Sequence, residues 1–180
     1  MTPSTGKSLR DYLDTHGVEL LPCHAGEPGR PSVELPVPRG WTIVPAHLFP
    51  RARTVLVAPE YTEAGWTPIA VLLHNRLSVR RPTGELLAAA AAATQELPEW
   101  SELDCETSNF RGHPSVITRG KYRAGGVDFD ARSRHLVIDH DQDRYLTQLA
   151  VTTRADAPAS LREGAQTIHT EMWVDPARAS

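Results

Sequence analysis

The chain has 180 residues, of which 40% are hydrophobic, with 19 basic and 22 acidic side chains and a formal net charge of −3. That length suits one domain able to bury a core, read here as 1–180 with an ordered part of about 8–174. The intermixed charge excludes the basic footprint of a nucleic-acid binder, and no stretch approaches the roughly 20 apolar residues of a membrane-spanning helix.

Met1 to Lys7 lead into no apolar run, so no export signal is read there. Ser8 is placed to cap a short helix with Asp11 in its first turn, Leu9, Tyr12 and Leu13 on one face, and Gly17 ending it. A short strand is expected over 18–21. Leu20-Leu21-Pro22-Cys23 looks like the cleavage box before a lipidated cysteine, but Arg10, Asp11, Asp14, His16 and Glu19 stand where such a box needs apolar residues. Cys23 and Cys105 therefore read as two free thiols of a cytoplasmic protein.

After a Gly-Pro turn at 26–31, Val33, Leu35 and Val37 alternate as inward-facing residues. Pro36 and Pro38 cannot donate to a ladder, so this stretch reads as an edge strand or extended arm. The apolar runs 54–58 and 69–74 form a wide hairpin across the loop 59–68. Six alanines between Leu87 and Thr94 mark a helix over 84–97, opened near Pro82 and stopped by Pro98. A short strand is expected at 103–107. Alternation then predicts an antiparallel meander over 115–123, 127–138 and 144–153. It turns at Gly125-Gly126, becomes polar at Arg132-Ser133-Arg134, and turns again through Asp139 to Asp143. Asp156 is placed to cap a last helix, 157–172, with Pro158 in its first turn and a stripe of Leu161, Ala165, Ile168 and Met172. The fold class is α+β, an antiparallel sheet covered by helices.

The chemistry-bearing residues do not assemble into a catalytic motif. Asp139-x-Asp141-x-Asp143 opens like a calcium loop, but Arg144 and Ala150 stand where glycine and glutamate are needed. His135 and His140 fall on opposite faces of a strand and cannot share a metal through it. Ser115 lacks a strained nucleophile elbow, and Gly125-Gly126 joins two strands rather than opening a phosphate-binding helix. No cofactor or metal is implied. The aromatics offer more. Trp41, Trp100 and Trp173 sit at element ends and are expected to close the core. Tyr61 and Trp66 fall in the polar loop 59–68, with His74 and Arg76 on the next strand to add polar contacts at its mouth.

The segments Ser8-Leu9-Arg10-Asp11-Tyr12-Leu13, Gly26-Glu27-Pro28-Gly29 and Val33 to Trp41 resemble the LpqN/LpqT family of actinobacteria, as do Gly112-His113-Pro114 and Tyr145 to Leu149. The Pro-Val-Pro-Arg-Gly-Trp arm is the most specific of these. The resemblance implies a PsbP-like α/β sandwich with an accessory or binding role, and no catalytic residue to carry over. Most such proteins are envelope lipoproteins, and no lipoprotein signal is read in this sequence. The expected function is a non-catalytic domain that recognises a protein partner or a small amphiphile, with 59–68 in the site. The rival is a hydrolase using Ser115 or Cys105 with a histidine, which requires nucleophile and base within about 3 Å.

Overall fold

The computed structural model describes residues 8–175. In chain order these form α1 (Leu9–Thr15), β1 (Leu20–Pro22), β2 (Val33–Glu34), β3 (Thr42–Ile43), β4 (Thr54–Val57), β5 (Ile69–Leu77) and α2 (Thr83–Ala93). Then come β6 (Ser101–Phe110), β7 (His113–Ala124), β8 (Val127–His140), β9 (Asp143–Arg154), α3 (Ala159–Thr170) and β10 (Trp173–Val174). The main sheet is antiparallel throughout, in the order β3-β4-β5-β9-β8-β7-β6. β1 pairs with the far end of β5, and β2 with β10 makes a separate two-stranded ribbon. The α+β antiparallel architecture expected from the alternation is the one observed.

Short turns set the register. Gly125 and Gly126, at φ +58° and +79°, let Ala124 pair directly with Val127. Such left-handed residues match the twist of the strands they join, and a residue with a Cβ is strained there. Because strand side chains alternate, this register fixes two faces. One buries Leu136, Ile138, Tyr145, Leu149 and Val151 beneath Leu161, Ile168 and Met172 of the α3 segment. The other buries Val116, Val137 and Leu146 beneath Leu9 and Leu13 of α1 and Leu86, Leu87 and Ala90 of α2. Each large apolar side chain buried this way contributes roughly 1.5–3 kcal/mol. The alanines of α2 allow it to lie close to the sheet, and the Tyr12 hydroxyl ties α1 to α2 by donating to Glu85 Oε2 at 2.5 Å. Ser8 caps α1 as expected, its Oγ accepting from the Asp11 N–H at 3.3 Å.

Several local expectations are corrected. The expected short strand at 103–107 is ten residues long, since edge strand β6 follows β7 through a bulge between Glu102 and Asp104. The α2 helix ends at Ala93 and tightens into one 3₁₀ turn, so it stops short of Pro98. Asp156 does not cap α3. Pro158 holds the cap position with no side-chain hydrogen bond, and both Asp156 carboxylate oxygens accept from Arg154 at 3.0 Å. Val37 points to solvent, because the proline arm leaves the β2 ribbon after Glu34 and crosses toward α3. Trp173 is exposed rather than core. Trp41 does close the core, and an ideal Cβ at Gly164 of α3 would lie 2.7 Å from its Nε1.

Candidate functional site

The loop 59–68 is folded upon itself. A 3₁₀ turn over Pro59–Tyr61 is followed by a tight turn in which Glu63 and Trp66 exchange backbone hydrogen bonds at 3.0 Å, with Ala64 and Gly65 left-handed. Tyr61 lays its ring on the core, and its hydroxyl meets Ser160 Oγ at 3.1 Å. It walls a cavity of about 290 Å³ at the start of α3, with Glu60, Glu63, Pro68, Arg154 and Leu161. Trp66 turns away from that cavity. Its ring centroid lies 4.8 Å from that of Phe129, and Phe129 stacks on Tyr122 at 5.0 Å. The register puts Phe129 on the sheet face opposite α3.

His74 and Arg76 are not brought to this loop. Ile69, at the end of the loop, pairs with Thr152, whereas His74 pairs with Thr147 and Arg76 with Tyr145. At about 3.3 Å per residue, they lie roughly 17–23 Å down the strand. His74 is buried, with Nδ1 2.7 Å from Thr147 Oγ1 and its ring stacked on Tyr145. Burial pushes its pKa down to about 4, with the charge of Arg53 adding to the effect. Arg76 Nη1 reaches Asp143 Oδ1 at 3.2 Å on the neighbouring strand β9. Both residues belong to the structural interior or to surface ion pairing at the far end of β5.

Neither nucleophile candidate is hydrogen-bonded to a histidine among the described residues. Ser115 is 0% exposed, and its Oγ has no hydrogen-bond partner among the described residues. His113 Nε2 instead bonds the backbone oxygen of Asp175 at 2.7 Å. Cys105 sits on exposed edge strand β6, where partial burial and then Glu102 and Asp104 raise its thiol pKa. That is the reverse of thiolate activation.

The chemically richest place was not singled out by the sequence. It is a groove of about 270 Å³ between α3 and the sheet. Register builds its floor: Arg119 of β7 stands directly opposite Arg132 of β8, and Arg132 opposite Val151 of β9. The helix supplies Arg162, Ala165, Gln166 and His169 at helical spacing along one face. Arg119 Nη2 contacts Asp130 Oδ2 at 3.3 Å, and Arg132 Nη1 donates to Gln166 Oε1. Among the described residues, no carboxylate lies within ion-pair distance of Arg132, Arg134 or Arg162. Like charges directly opposite across strands are destabilising. Burial and then the Arg119 charge hold the Arg132 guanidinium below its usual pKa range. Burial and then the Arg132 charge do the same to Arg134, whose guanidinium lies 4.1 Å over the Phe110 ring.

His169 forms the inner wall and is 1% exposed. Burial, followed by the charges of Arg132 and Arg134, pushes its pKa down to about 3, so it is neutral in ordinary buffers. The Arg132 backbone approaches closely enough to favour the protonated ring slightly. Neither ring nitrogen, however, makes a hydrogen bond of normal geometry. A buried polar group in that condition is an available donor or acceptor facing a cavity.

A family profile described as "Probable lipoprotein LpqN" matches residues 5–175. The chain belongs to the LpqN/LpqT lipoprotein family. It is 31% identical over 159 residues to the proline-rich 28 kDa antigen homolog of Mycobacterium leprae, covering 86% of this chain and 57% of that protein. It is 23% identical over 171 residues to lipoprotein LpqN of Mycobacterium tuberculosis, covering 94% of this chain and 74% of that one. The crystal structure of M. tuberculosis LpqN, a protein involved in cell envelope biogenesis, aligns with a TM-score of 0.83 over 95% of this chain and 99% of its own. At 22% identity that likeness shows the shared LpqN fold. The chain spans little more than half the length of the antigen homolog it matches.

Proposed function

We propose that this LpqN-family domain is a non-catalytic binding module whose ligand seat is the groove beside α3. A small amphiphile is the ligand class that its chemistry favours. The observation that carries this is the mixed lining: Val151 and Ala165 supply apolar wall, the arginines and Gln166 supply polar anchors, and buried His169 lines the inner wall with neither ring nitrogen in a hydrogen bond of normal geometry. Ligand sites commonly combine an apolar lining with a few fixed polar groups in this way. The involvement of LpqN in cell envelope biogenesis makes an accessory role a reasonable extension to this chain. The cytoplasmic location expected from the charged residues ahead of Cys23 stands within the same proposal. Cleavage before Cys23 would remove α1 and its buried Leu9, Tyr12 and Leu13.

The test uses the neutral fluorescent probe N-phenyl-1-naphthylamine, whose emission rises in apolar sites. Wild-type protein should enhance it saturably, and Ala165→Trp, which fills the groove, should abolish the enhancement without unfolding the chain. Equal binding by wild type and a folded Ala165→Trp variant would overturn the assignment of the groove.

A further inference from the structure

The groove carries more positive charge than a neutral amphiphile needs. Arg119 and Arg132 come from adjacent strands and Arg162 from the helix above them, so three guanidiniums approach one cavity from two sides. Among the described residues, Arg119 alone of the three has a carboxylate within ion-pair distance. Arg134, two residues from Arg132 on the same face, adds its field from behind without lining the cavity. A carboxylate has two coplanar oxygens, which a single arginine fork can satisfy. Three forks arriving from different directions, with a neutral imidazole N–H available at the inner wall, suit a tetrahedral group with three free oxygens. The cavity volume, about 270 Å³, accommodates such a head with a few further atoms but not a long chain.

From this arrangement we infer that the groove beside α3 binds a phosphate monoester group, held by Arg119, Arg132 and Arg162, with His169 donating one N–H to a phosphate oxygen. This rests on the binding reading above and names the head group that reading leaves open. Asp130 also lines the groove, and its carboxylate stays paired with Arg119. The mutual repulsion of Arg119 and Arg132 is relieved when the dianion binds between them, so binding and local stability are linked.

Isothermal titration calorimetry at low ionic strength, with inorganic phosphate and with octyl phosphate below its micellar concentration, tests this. Both should bind wild type, and each of Arg132→Gln and Arg162→Gln should weaken binding by about tenfold or more, the loss expected of one charge-assisted contact. Removing Arg132 also removes a repulsion. Its variant should therefore melt no lower than wild type without phosphate and gain less when phosphate is added, which a merely structural arginine would not do. Octyl phosphate binding about tenfold tighter than inorganic phosphate identifies an ester or lipid head group, and equal affinities identify free phosphate. If neither phosphate binds while the naphthylamine probe still fills the groove, the phosphate inference falls and the binding module stands. If nothing binds, both fall.

Discussion

Gly164 gives the sharpest check on how α3 is seated over the sheet. In an exposed helix interior, replacing glycine by alanine stabilises by up to about 1 kcal/mol, because alanine loses less backbone entropy. Here the added Cβ would sit 2.7 Å from Trp41 Nε1 and 3.2 Å from its Cδ1. Trp41 is 4% exposed and belongs to the core cluster, so its indole has little room to swing aside. Overpacking of that kind costs about 1–3 kcal/mol, which exceeds the propensity gain. Gly164→Ala should therefore lose about 1 kcal/mol net, a fall of roughly 2–4 °C in Tm for a chain of this size. Gly84→Ala is the internal control: it lies in the first turn of α2 with open space around it, and should be neutral or slightly stabilising. Calorimetric melting of the two variants side by side decides the matter. A Gly164→Ala protein more stable than wild type would refute the contact between Trp41 and α3.

Three further outcomes are expected. His74, His135 and His169 are buried, with pKa values lowered to about 4, 4 and 3, chiefly by burial. Each is neutral when folded and takes up a proton on unfolding below the ordinary value near 6.5, so stability is full above that pH and falls as pH drops toward 4. Three such groups give a loss approaching roughly 4 kcal/mol per pH unit, and thermal melts that stay flat between pH 6.5 and 5 would contradict it. Trp66→Ala should cost about 1–2 kcal/mol, between a surface change and a core truncation, because its half-buried ring packs on Phe129. It should leave probe binding intact; weakened binding in a folded variant would return the loop to the site. Cys23 lies in the core with Arg30 Nη1 3.1 Å from its sulfur, so intact-mass measurement should find it unmodified, and an acylated Cys23 in membranes would contradict this.

The meander was legible because it obeys a period of two and is punctuated by Gly125-Gly126, signals that depend only on local sequence. The helices 9–15 and 159–170 were legible from their apolar stripes. The cap of α3 was misread because Asp156 found a stronger partner in Arg154, a competition that propensity does not contain. The groove was illegible for a different reason. Arg132-Ser133-Arg134 reads as a polar stretch of a strand. Only the pairing register shows that Arg119 faces Arg132 and that α3 carries Arg162 and His169 above them. In sequence these residues are spread over 51 positions, from 119 to 169, with nothing to say they share a face. The aromatic loop was conspicuous for the opposite reason: Tyr61 and Trp66 are close in sequence, yet the fold sends them to different faces of the sheet.

A titration of isotopically labelled protein with the neutral naphthylamine probe, followed by amide NMR shifts, tests the central claim most directly. The account predicts that the largest shifts cluster at Arg119, Arg132, Val151, Ala165 and His169, which line the groove beside α3. Shifts confined instead to 59–68, or to the exposed apolar patch around Ile43 and Phe49 at the opposite sheet edge, would contradict it.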